Sequence, residues 1–241
     1  MIIKKNTIIN SKENFSIILK KDVFLPNLTT KLLLSEIKNY SEKKNIYFKN
    51  TLDLGCGCGV IGIVLNKLGV SKNIYLSDIS KKAVINASHN LELNKVKGHL
   101  RVGKMFEPWK NYKFDLIIND ISAVSSKLAR ISPWFKKVPC ASGNDGTRLS
   151  VNFLKQVKKY SEKKTKIFFP ILSLSNEKRI IKFAKKKFKN VQIINSVEWP
   201  LPKKMLYHKK KLEYLKKNKF INYKEISGNF ICKTSICLIS L

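Results

Sequence analysis

A carboxylate followed by three closely spaced glycines is the feature of this sequence best suited to binding a small molecule. Asp53 ends an apolar run, and the stretch Asp53-Leu54-Gly55-Cys56-Gly57-Cys58-Gly59 leads directly into the apolar residues 60–68. This order predicts a strand, a tight turn that brings a ligand against bare backbone, and a helix whose N-terminus points at an anion. We therefore interpret the stretch as a cofactor-binding loop.

The carboxylate of Asp53 helps to choose between two cofactors for this loop. Gly57, Gly59 and Gly62 satisfy the spacing of a dinucleotide fingerprint, in which a pyrophosphate lies against the loop. The carboxylate would repel that pyrophosphate, since like charges interact strongly in a dry pocket. S-adenosylmethionine (SAM) avoids the conflict, because its ammonium and sulfonium groups suit an acid and its carboxylate suits the N–H groups of the loop. We expect SAM, bound in part by Asp53, Gly55, Gly57 and Gly59.

A second acid follows the loop at the distance expected for a strand–helix–strand unit. Residues 73–77 predict a short strand, which ends at Asp78, about twenty residues beyond the glycines. A carboxylate in this place accepts hydrogen bonds from both hydroxyl groups of an adenosine ribose. NAD enzymes share the feature, so Asp78 indicates an adenosine and Asp53 indicates SAM. Glycine-rich turns and strand-end acids also occur in α/β proteins without a cofactor, and that alternative stays open.

Composition restricts the class of protein. The chain has 241 residues, 44% of them hydrophobic, which suffices for one good core. It has no apolar run of membrane-spanning length and no signal-peptide pattern, so we expect a cytoplasmic protein with no membrane partner. The five cysteines show neither a metal-ligand spacing nor a disulfide framework, so we expect reduced thiols and no metal site. The oligomeric state is left open.

The charge balance is strongly basic. Lys and Arg number 48 against 16 Asp and Glu, which gives a formal net charge of +32. Such a field attracts nucleic acid and ribosomes by counterion release. Only four of the basic residues are arginines, although phosphate and guanine recognition favour the planar guanidinium group. A compositional drift toward lysine on solvated faces is therefore the alternative to a functional attraction to RNA.

The hydrophobic pattern alternates between strands and helices. Strands are predicted over residues 46–53, 73–77, 99–102, 114–119, 166–171 and 191–197, with a closing pair over 230–241, and helices over 60–68, 80–94 and 176–188. This alternation predicts a mostly parallel sheet covered on both faces. The long segment 122–144 contains Pro133-Trp134-Phe135, a candidate lining for a substrate mouth, and Lys209-Lys210-Lys211 is predicted to be a solvated loop.

From about Phe24 onward the chain resembles the class I SAM-dependent methyltransferases, and within them the small-domain group and its HemK-like glutamine methyltransferases of release factors. The motifs that carry this resemblance are residues 23–33 with Phe24-Leu25-Pro26, the loop 53–59, Asp78, residues 103–108 and residues 141–146. The resemblance implies a Rossmann-like methyltransferase fold with a seven-stranded, mostly parallel sheet and an antiparallel closing strand. It implies an N-terminal strand, turn and helix over residues 1–45 that cap the cofactor pocket, and a methyltransferase domain over residues 46–241. It also implies that Thr30 closes over the cofactor and that Met105 lies beside adenine.

The sequence departs from this group where the methyl acceptor is held. The group's Asn-Pro-Pro-Tyr, which grips a planar amide or an exocyclic amine, falls on Asp120-Ile121-Ser122-Ala123. This tetrapeptide looks more like the Asn-Ile-Leu-Ala of the ribosomal-protein lysine methyltransferases, whose targets are amines. An amine must lose a proton before it attacks, and Asp120 could orient it and take that proton through water. We therefore expect Asp120 to be catalytic and to contact the cofactor; the alternative is that it only caps the following turn.

The sequence thus predicts an enzyme, a SAM-dependent methyltransferase that methylates a nitrogen of a translation-related protein or RNA. The ribosome and a release factor are candidate partners. Two other classes stay open: a small-molecule methyltransferase, and a non-catalytic RNA- or ribosome-binding protein that keeps the fold.

Overall fold

The alternation of apolar strands and amphipathic helices folds into a layered α/β structure. The computed structural model describes residues 2–4, 15–121, 123–133 and 140–241. Its strands are β1 Ile2–Lys4, β2 Ser16–Ile18, β3 Phe48–Leu54, β4 Ser71–Asp78, β5 Gly98–Val102, β6 Phe114–Asn119, β7 Ser161–Leu172, β8 Asn190–Pro200, β9 Lys224–Ile226 and β10 Asn229–Ser240. Its helices are α1 Leu28–Lys44, α2 Val60–Lys67, α3 Lys81–Leu93, α4 Ser126–Ala129, α5 Arg148–Gln156, α6 Glu177–Lys187, α7 Lys203–Leu206 and α8 Lys209–Lys217.

The main sheet has the order β5-β4-β3-β6-β7-β10-β8, with β9 paired to β10. Strands β3 to β7 run parallel to their neighbours, whereas β10 lies antiparallel between β7 and β8. The expected Rossmann-like fold with a mostly parallel sheet and an antiparallel strand near its end is confirmed. The sheet has eight strands rather than the expected seven, because β9 adds to β10. β1 and β2 form a separate antiparallel pair near the N-terminus.

The strand order reverses beside β3, and this reversal creates a crevice. The chain passes from β3 to β4 and β5 on one side and then returns to β6 on the other side of β3. Leu54 pairs with Ser77 of β4 and with Asn119 of β6, so the residues that follow these three meet at one edge of the sheet. In open α/β sheets, ligands bind in the crevice outside the carboxyl ends of the strands at such a reversal.

Helices cover both faces of the sheet because successive apolar side chains on the strands point in opposite directions. On β6, Leu116 and Ile118 face a core shared with α1, α2 and α3, whereas Ile117 faces a core shared with α5 and α6. A third apolar cluster joins α7 and α8 to the segment around Val124. The two packed helical layers therefore fix the positions of the strand ends that border the crevice.

The local predictions fail mainly where lysine is dense. Residues 209–211 form the first turn of α8 rather than a solvated loop, because Leu212 and Leu215 are buried and anchor the helix. β7 starts five residues earlier than its apolar run, at Ser161. α3, by contrast, has the predicted Ser80 N-cap, which accepts a hydrogen bond from the Ala83 N–H at 3.4 Å. No helix in the described ranges is long and apolar enough to cross a membrane.

Candidate functional site

A cavity of about 620 Å³ opens at the carboxyl edge of the sheet, where β3, β4, β5 and β6 end. Most of the residues that the sequence singled out line it: Thr30, Asp53, Gly55, Gly57, Asp78, Met105 and Asp120. Gly59, predicted as a cofactor contact, is not among the lining residues. Three acids and a glycine turn from separate strand ends are thus collected around one space.

Asp53 is the most deeply buried of these acids, and half of its carboxylate lacks a partner. Its side chain is 1% exposed, and its Oδ2 accepts a hydrogen bond from the Gly62 N–H at 3.1 Å. Its Oδ1 is buried without a hydrogen-bond partner in the described part of the chain. Burial, aided by the charges of Asp120 and Asp78, raises the pKa of Asp53 to about 7. An unpartnered carboxylate oxygen in a cavity is suited to a cationic ligand, because leaving it unpaired is costly.

The glycines of the loop have different structural tasks. Gly57 has a φ of +54°, and a Cβ added to it would meet nothing within 4 Å, so bare backbone faces the cavity there. A Cβ on Gly55 would lie 2.6 Å from the Ile121 side chain. A Cβ on Gly59 would lie 3.1 Å from Ala87 Cβ of α3. Gly59 therefore permits the close approach of α3, which explains why it does not line the cavity.

The N–H groups of the loop are engaged inside the protein. Gly55 and Cys56 both donate to the Ser77 carbonyl oxygen, at 2.8 and 3.0 Å, because the ladder between β3 and β4 continues into the turn. Gly57 donates to Asp78 Oδ2 at 3.0 Å. The expectation that these particular N–H groups bind the carboxylate of a cofactor is therefore not supported by the geometry.

Asp78 is fixed by backbone donors and remains open to the cavity. Besides Gly57, it accepts a hydrogen bond from the Ser80 N–H to its Oδ1 at 2.8 Å. Burial raises the pKa of Asp78, and its backbone hydrogen bonds counteract that rise. The carboxylate is thus oriented by the glycine loop and the start of α3, and its contact with a ribose stays a prediction.

Asp120 is held by a residue from a distant helix. Thr30 Oγ1 of α1 donates to Asp120 Oδ2 at 2.8 Å, and the Asp120 N–H donates to the Leu54 carbonyl oxygen at 3.2 Å. Burial raises the pKa of Asp120 to about 7, and the Thr30 hydrogen bond counteracts that rise. The next helix, α4, has its N-cap at Ser125 rather than at Asp120. Ser122, the third residue of the tetrapeptide, lies outside the described residues.

Two asparagines on α3 and a third at its C-cap attach the N-terminal segment to the site. Asn86, Asn90 and Asn94 accept hydrogen bonds from the N–H groups of Lys20, Ile18 and Ser16, respectively, at 2.9 to 3.0 Å. Asn90 also donates through Nδ2 to the Cys58 carbonyl oxygen at 2.9 Å, which links the glycine loop to β2. The chain then continues through residues 22–26, which contribute to the cavity lining. The spacing of four residues between these asparagines places their side chains on one face of a helix, a signal that is present in the sequence.

The opposite wall of the cavity is formed by α4, α5 and residues between them. Ser126, Ala129 and Arg130 contribute from α4 and its end, and Arg148 contributes from α5. Between them, the predicted turn at residues 143–146 is present, with positive φ at Gly143 and Gly146. Pro133 is exposed, whereas Trp134 and Phe135, predicted with it as a substrate mouth, lie outside the described residues.

Known proteins are similar to parts of this chain. Residues 23–120 match the family described as "Methyltransferase small domain". A ribosomal protein L11 methyltransferase of Thermoanaerobacter sp. (strain X514) is 29% identical over 151 residues, covering 62% of this chain and 45% of that protein. A ribosomal RNA small subunit methyltransferase C of Haemophilus influenzae (strain 86-028NP) is 38% identical over 91 residues, covering 38% of this chain and 26% of that protein. The chain spans less than half the length of these relatives.

Solved structures confirm the fold over nearly the whole chain. A ribosomal protein L11 methylase from Lactobacillus delbrueckii subsp. bulgaricus has a TM-score of 0.55 at 18% identity, covering 90% of this chain and 82% of that one. A T. thermophilus 16S rRNA N2 G1207 methyltransferase, solved with AdoMet and guanosine, has a TM-score of 0.60 at 14% identity, covering 98% of this chain and 50% of that one. At these identities the neighbours establish the fold alone. They leave the HemK-like subgroup a prediction.

Proposed function

We infer that this protein is a SAM-dependent methyltransferase that transfers a methyl group to a nitrogen of a translation-related protein or RNA. The observation that carries this inference is one cavity that holds both an unpartnered carboxylate oxygen, Asp53 Oδ1, and a second acid, Asp120, fixed by Thr30. The first suits a cationic cofactor. The second suits a nitrogen that must give up a proton.

The residues of the cavity fit SAM. Asp53 Oδ1 is available to the ammonium group, Asp78 to the ribose hydroxyl groups, and the turn at Met105 to the adenine ring. When bound, SAM supplies a methyl carbon that is activated by the adjacent sulfonium. The chain's own contribution is to hold that group in a largely apolar crevice, where its carboxylates interact strongly with positive charge.

Asp120 is assigned to the methyl acceptor. Because Oδ2 accepts the Thr30 hydrogen bond, Oδ1 is the atom that would accept the N–H of the acceptor and receive its proton, directly or through one water. A group whose pKa is about 7 is ionised in part at neutral pH and can act as a base there. Proximity in such a site supplies much of the barrier reduction, because it replaces a bimolecular encounter with a positioned one.

An acid at position 120 favours an amine acceptor over the glutamine amide of the HemK-like group. An ionised carboxylate accepts hydrogen bonds and donates none, and it stabilises the positive charge that a methylated amine carries. The names of the matched relatives and the net charge of +32 both support an acceptor associated with ribosomes. We also propose that the protein acts in the cytoplasm. The proposed domain division is a methyltransferase domain over residues 46–241, whose cofactor pocket is capped by residues 1–45.

A non-catalytic RNA- or ribosome-binding role is the second candidate. The replacement of both prolines and the aromatic residue in the tetrapeptide favours it, because those groups position the acceptor in the resembling enzymes. It predicts SAM-independent binding and no methyl transfer.

Labelling tests the proposal. The purified protein is incubated with methyl-tritiated SAM and a lysate depleted of endogenous activity, and label is measured in the protein, RNA and small-molecule fractions. We expect label in protein or RNA, and its loss with the Asp120→Ala variant. Calorimetry supplies the cofactor control, in which SAM binds and NAD does not compete. Binding of NAD without binding of SAM would contradict the proposal.

A further inference from the structure

The chain between β8 and β9 contains a lysine-rich helical segment beside the cavity. We call residues 201–223, which include α7 and α8, the basic insert. It holds eight lysines and one glutamate in 23 residues, about twice the lysine density of the chain as a whole. Among these lysines in the described structure, ion pairs are found for Lys209 alone, with Glu213 and Glu225. The insert is therefore a concentrated, largely uncompensated positive surface.

The insert has a defined structure that holds its lysines outward. Met205, Leu212, Leu215 and Ile221 are buried in one apolar cluster with Val124, Leu128 and Cys140. Burying these side chains against the rest of the protein fixes α7 and α8, and seven of the eight lysines are exposed. Lysine density alone does not distinguish this platform, because α6 holds five lysines in 11 residues. The position of the platform beside α4 does.

The platform lies directly behind a wall of the cavity. One short helix, α4, serves both: Ser126 and Ala129 line the cavity, whereas Leu128 is buried against the insert. Lys127 Nζ reaches the Tyr214 hydroxyl of α8 at 3.3 Å and lies 4.6 Å from the centre of its ring. A polymer bound along the insert would therefore lie next to α4, which forms part of the cavity wall.

Two features favour RNA over an acidic protein as that polymer. Tyr207, between α7 and α8, is 89% exposed, more than any other large hydrophobic side chain in the described ranges. An exposed ring among lysines suits stacking on a nucleic-acid base. In addition, two of the chain's four arginines, Arg130 and Arg148, line the cavity itself, and their planar forks suit phosphate groups.

We propose that the basic insert binds unpaired RNA, with its lysines along the phosphates and Tyr207 stacked on a base, and so presents that RNA to the cavity. This rests on the proposed function and narrows its acceptor to RNA, in which an exocyclic amino group of a base would donate its N–H to Asp120 Oδ1 and lose its proton there. The contacts are mainly to the backbone, so the insert contributes affinity and position more than base sequence.

The test compares two variants of equal charge. In the insert variant, four exposed lysines are changed together to Gln: Lys203, Lys204, Lys210 and Lys217. In the control variant, four exposed lysines of α6 are changed to Gln instead: Lys182, Lys185, Lys186 and Lys187. Binding of a short, labelled, single-stranded RNA of mixed sequence is followed by fluorescence anisotropy over a range of salt concentrations. The insert variant should bind tenfold or more weakly, with its log–log salt slope reduced by about 3 units, at about 0.7 per lost contact. The α6 variant should change much less.

A second pair isolates the ring. Tyr207→Ala should weaken RNA binding by about tenfold at every salt concentration with an unchanged slope, because stacking is not ionic, whereas Tyr207→Phe should bind like the parent. Equal loss in both lysine variants, competition by polyglutamate as effective as by RNA, or label from SAM entering protein alone would each overturn the proposal. Calorimetry with SAM separates the two proposals. SAM affinity should be the same in every variant. If the parent protein does not bind SAM, the proposed function is contradicted, and the RNA-binding data still decide the role of the insert.

Discussion

The two sides of the cavity are built from interactions of different range. The donor side, named for the methyl donor, is defined as residues 53–59 with Asp78. Its carboxylates accept hydrogen bonds from the backbone N–H groups of Gly57, Gly62 and Ser80. The acceptor side, named for the methyl acceptor, is defined as Asp120 with residues 123–130. Its carboxylate accepts a hydrogen bond from the side chain of Thr30, which lies 90 residues away in sequence.

This difference separates what is fixed from what is adjustable. A backbone N–H is present whatever the side chain, so the donor side keeps its geometry as long as the strand, turn and helix form. The acceptor side changes with a single substitution at either end of a side-chain contact. We expect this division in a fold that keeps the same cofactor while the methyl acceptor differs from one protein to another.

The largest effect is expected from filling the donor side. Gly57→Val should abolish SAM binding, because the new side chain would project into the cavity where no protein atom now lies within 4 Å. Calorimetry measures the loss. Gly69→Val is a matched control, since Gly69 also has a positive φ, of +70°, and open space around it, but does not line the cavity. If both variants lose SAM to the same degree, backbone strain rather than the cavity explains the result.

The sequence could predict the donor side because its parts are close together in the chain. Asp53, the glycines and Asp78 lie within one strand–helix–strand unit, and the strand ends fix where they meet. The packing role of Gly59 was missed because it depends on Ala87, a residue of another helix. The contact of Thr30 with Asp120 was missed for the same reason. Helix α8 was missed because its lysines hide a pattern of only two buried leucines.

The same substitution on the two sides should separate binding from transfer. Asp53→Asn keeps the volume and an acceptor for Gly62 but removes the charge, so the dissociation constant for SAM should rise by about tenfold to a hundredfold. Asp120→Asn should leave that constant within about threefold and reduce methyl transfer by about a hundredfold or more.

Each variant of this pair serves as the control of the other. Calorimetry gives SAM affinity, and tritium transfer to the labelled acceptor fraction gives the rate. Retained transfer in Asp120→Asn would show that hydrogen-bond orientation is sufficient and that the acceptor is not a protonated amine. If Asp120→Asn and Asp120→Ala both match the parent, Asp120 has a structural role only.

A smaller effect is expected from pH. Asp53 has a pKa of about 7 in the free protein because it is buried, and a cation binds its ionised form. SAM affinity should therefore increase from about pH 5.5 to about pH 7.5, approaching tenfold per pH unit below 7. The folded-state pKa lies above the unfolded value of 3.8, so the free protein itself should lose stability as the pH rises through this range. Thermal unfolding and calorimetry across the range test both directions. Asp53→Asn should flatten the affinity curve and make the stability curve less steep, since Asp120, whose pKa is also about 7, still titrates. An unchanged pH dependence of SAM affinity in that variant would assign the titration to another group.

The smallest effect is expected from the contact that joins α1 to the acceptor side. Thr30→Val is nearly isosteric and removes the hydroxyl that donates to Asp120. That hydrogen bond stabilises the ionised carboxylate, so its loss should raise the pKa of Asp120 further and move the rising limb of the pH–rate profile upward by about one unit or less. Transfer at neutral pH should then fall by about tenfold or less and recover at higher pH. Thr29→Val is the matched control, because Thr29 lies on the same helix but contacts Thr234 instead. If Thr30→Val weakens SAM binding while the pH profile stays in place, Thr30 acts on the cofactor, as the sequence resemblance implied, rather than on Asp120.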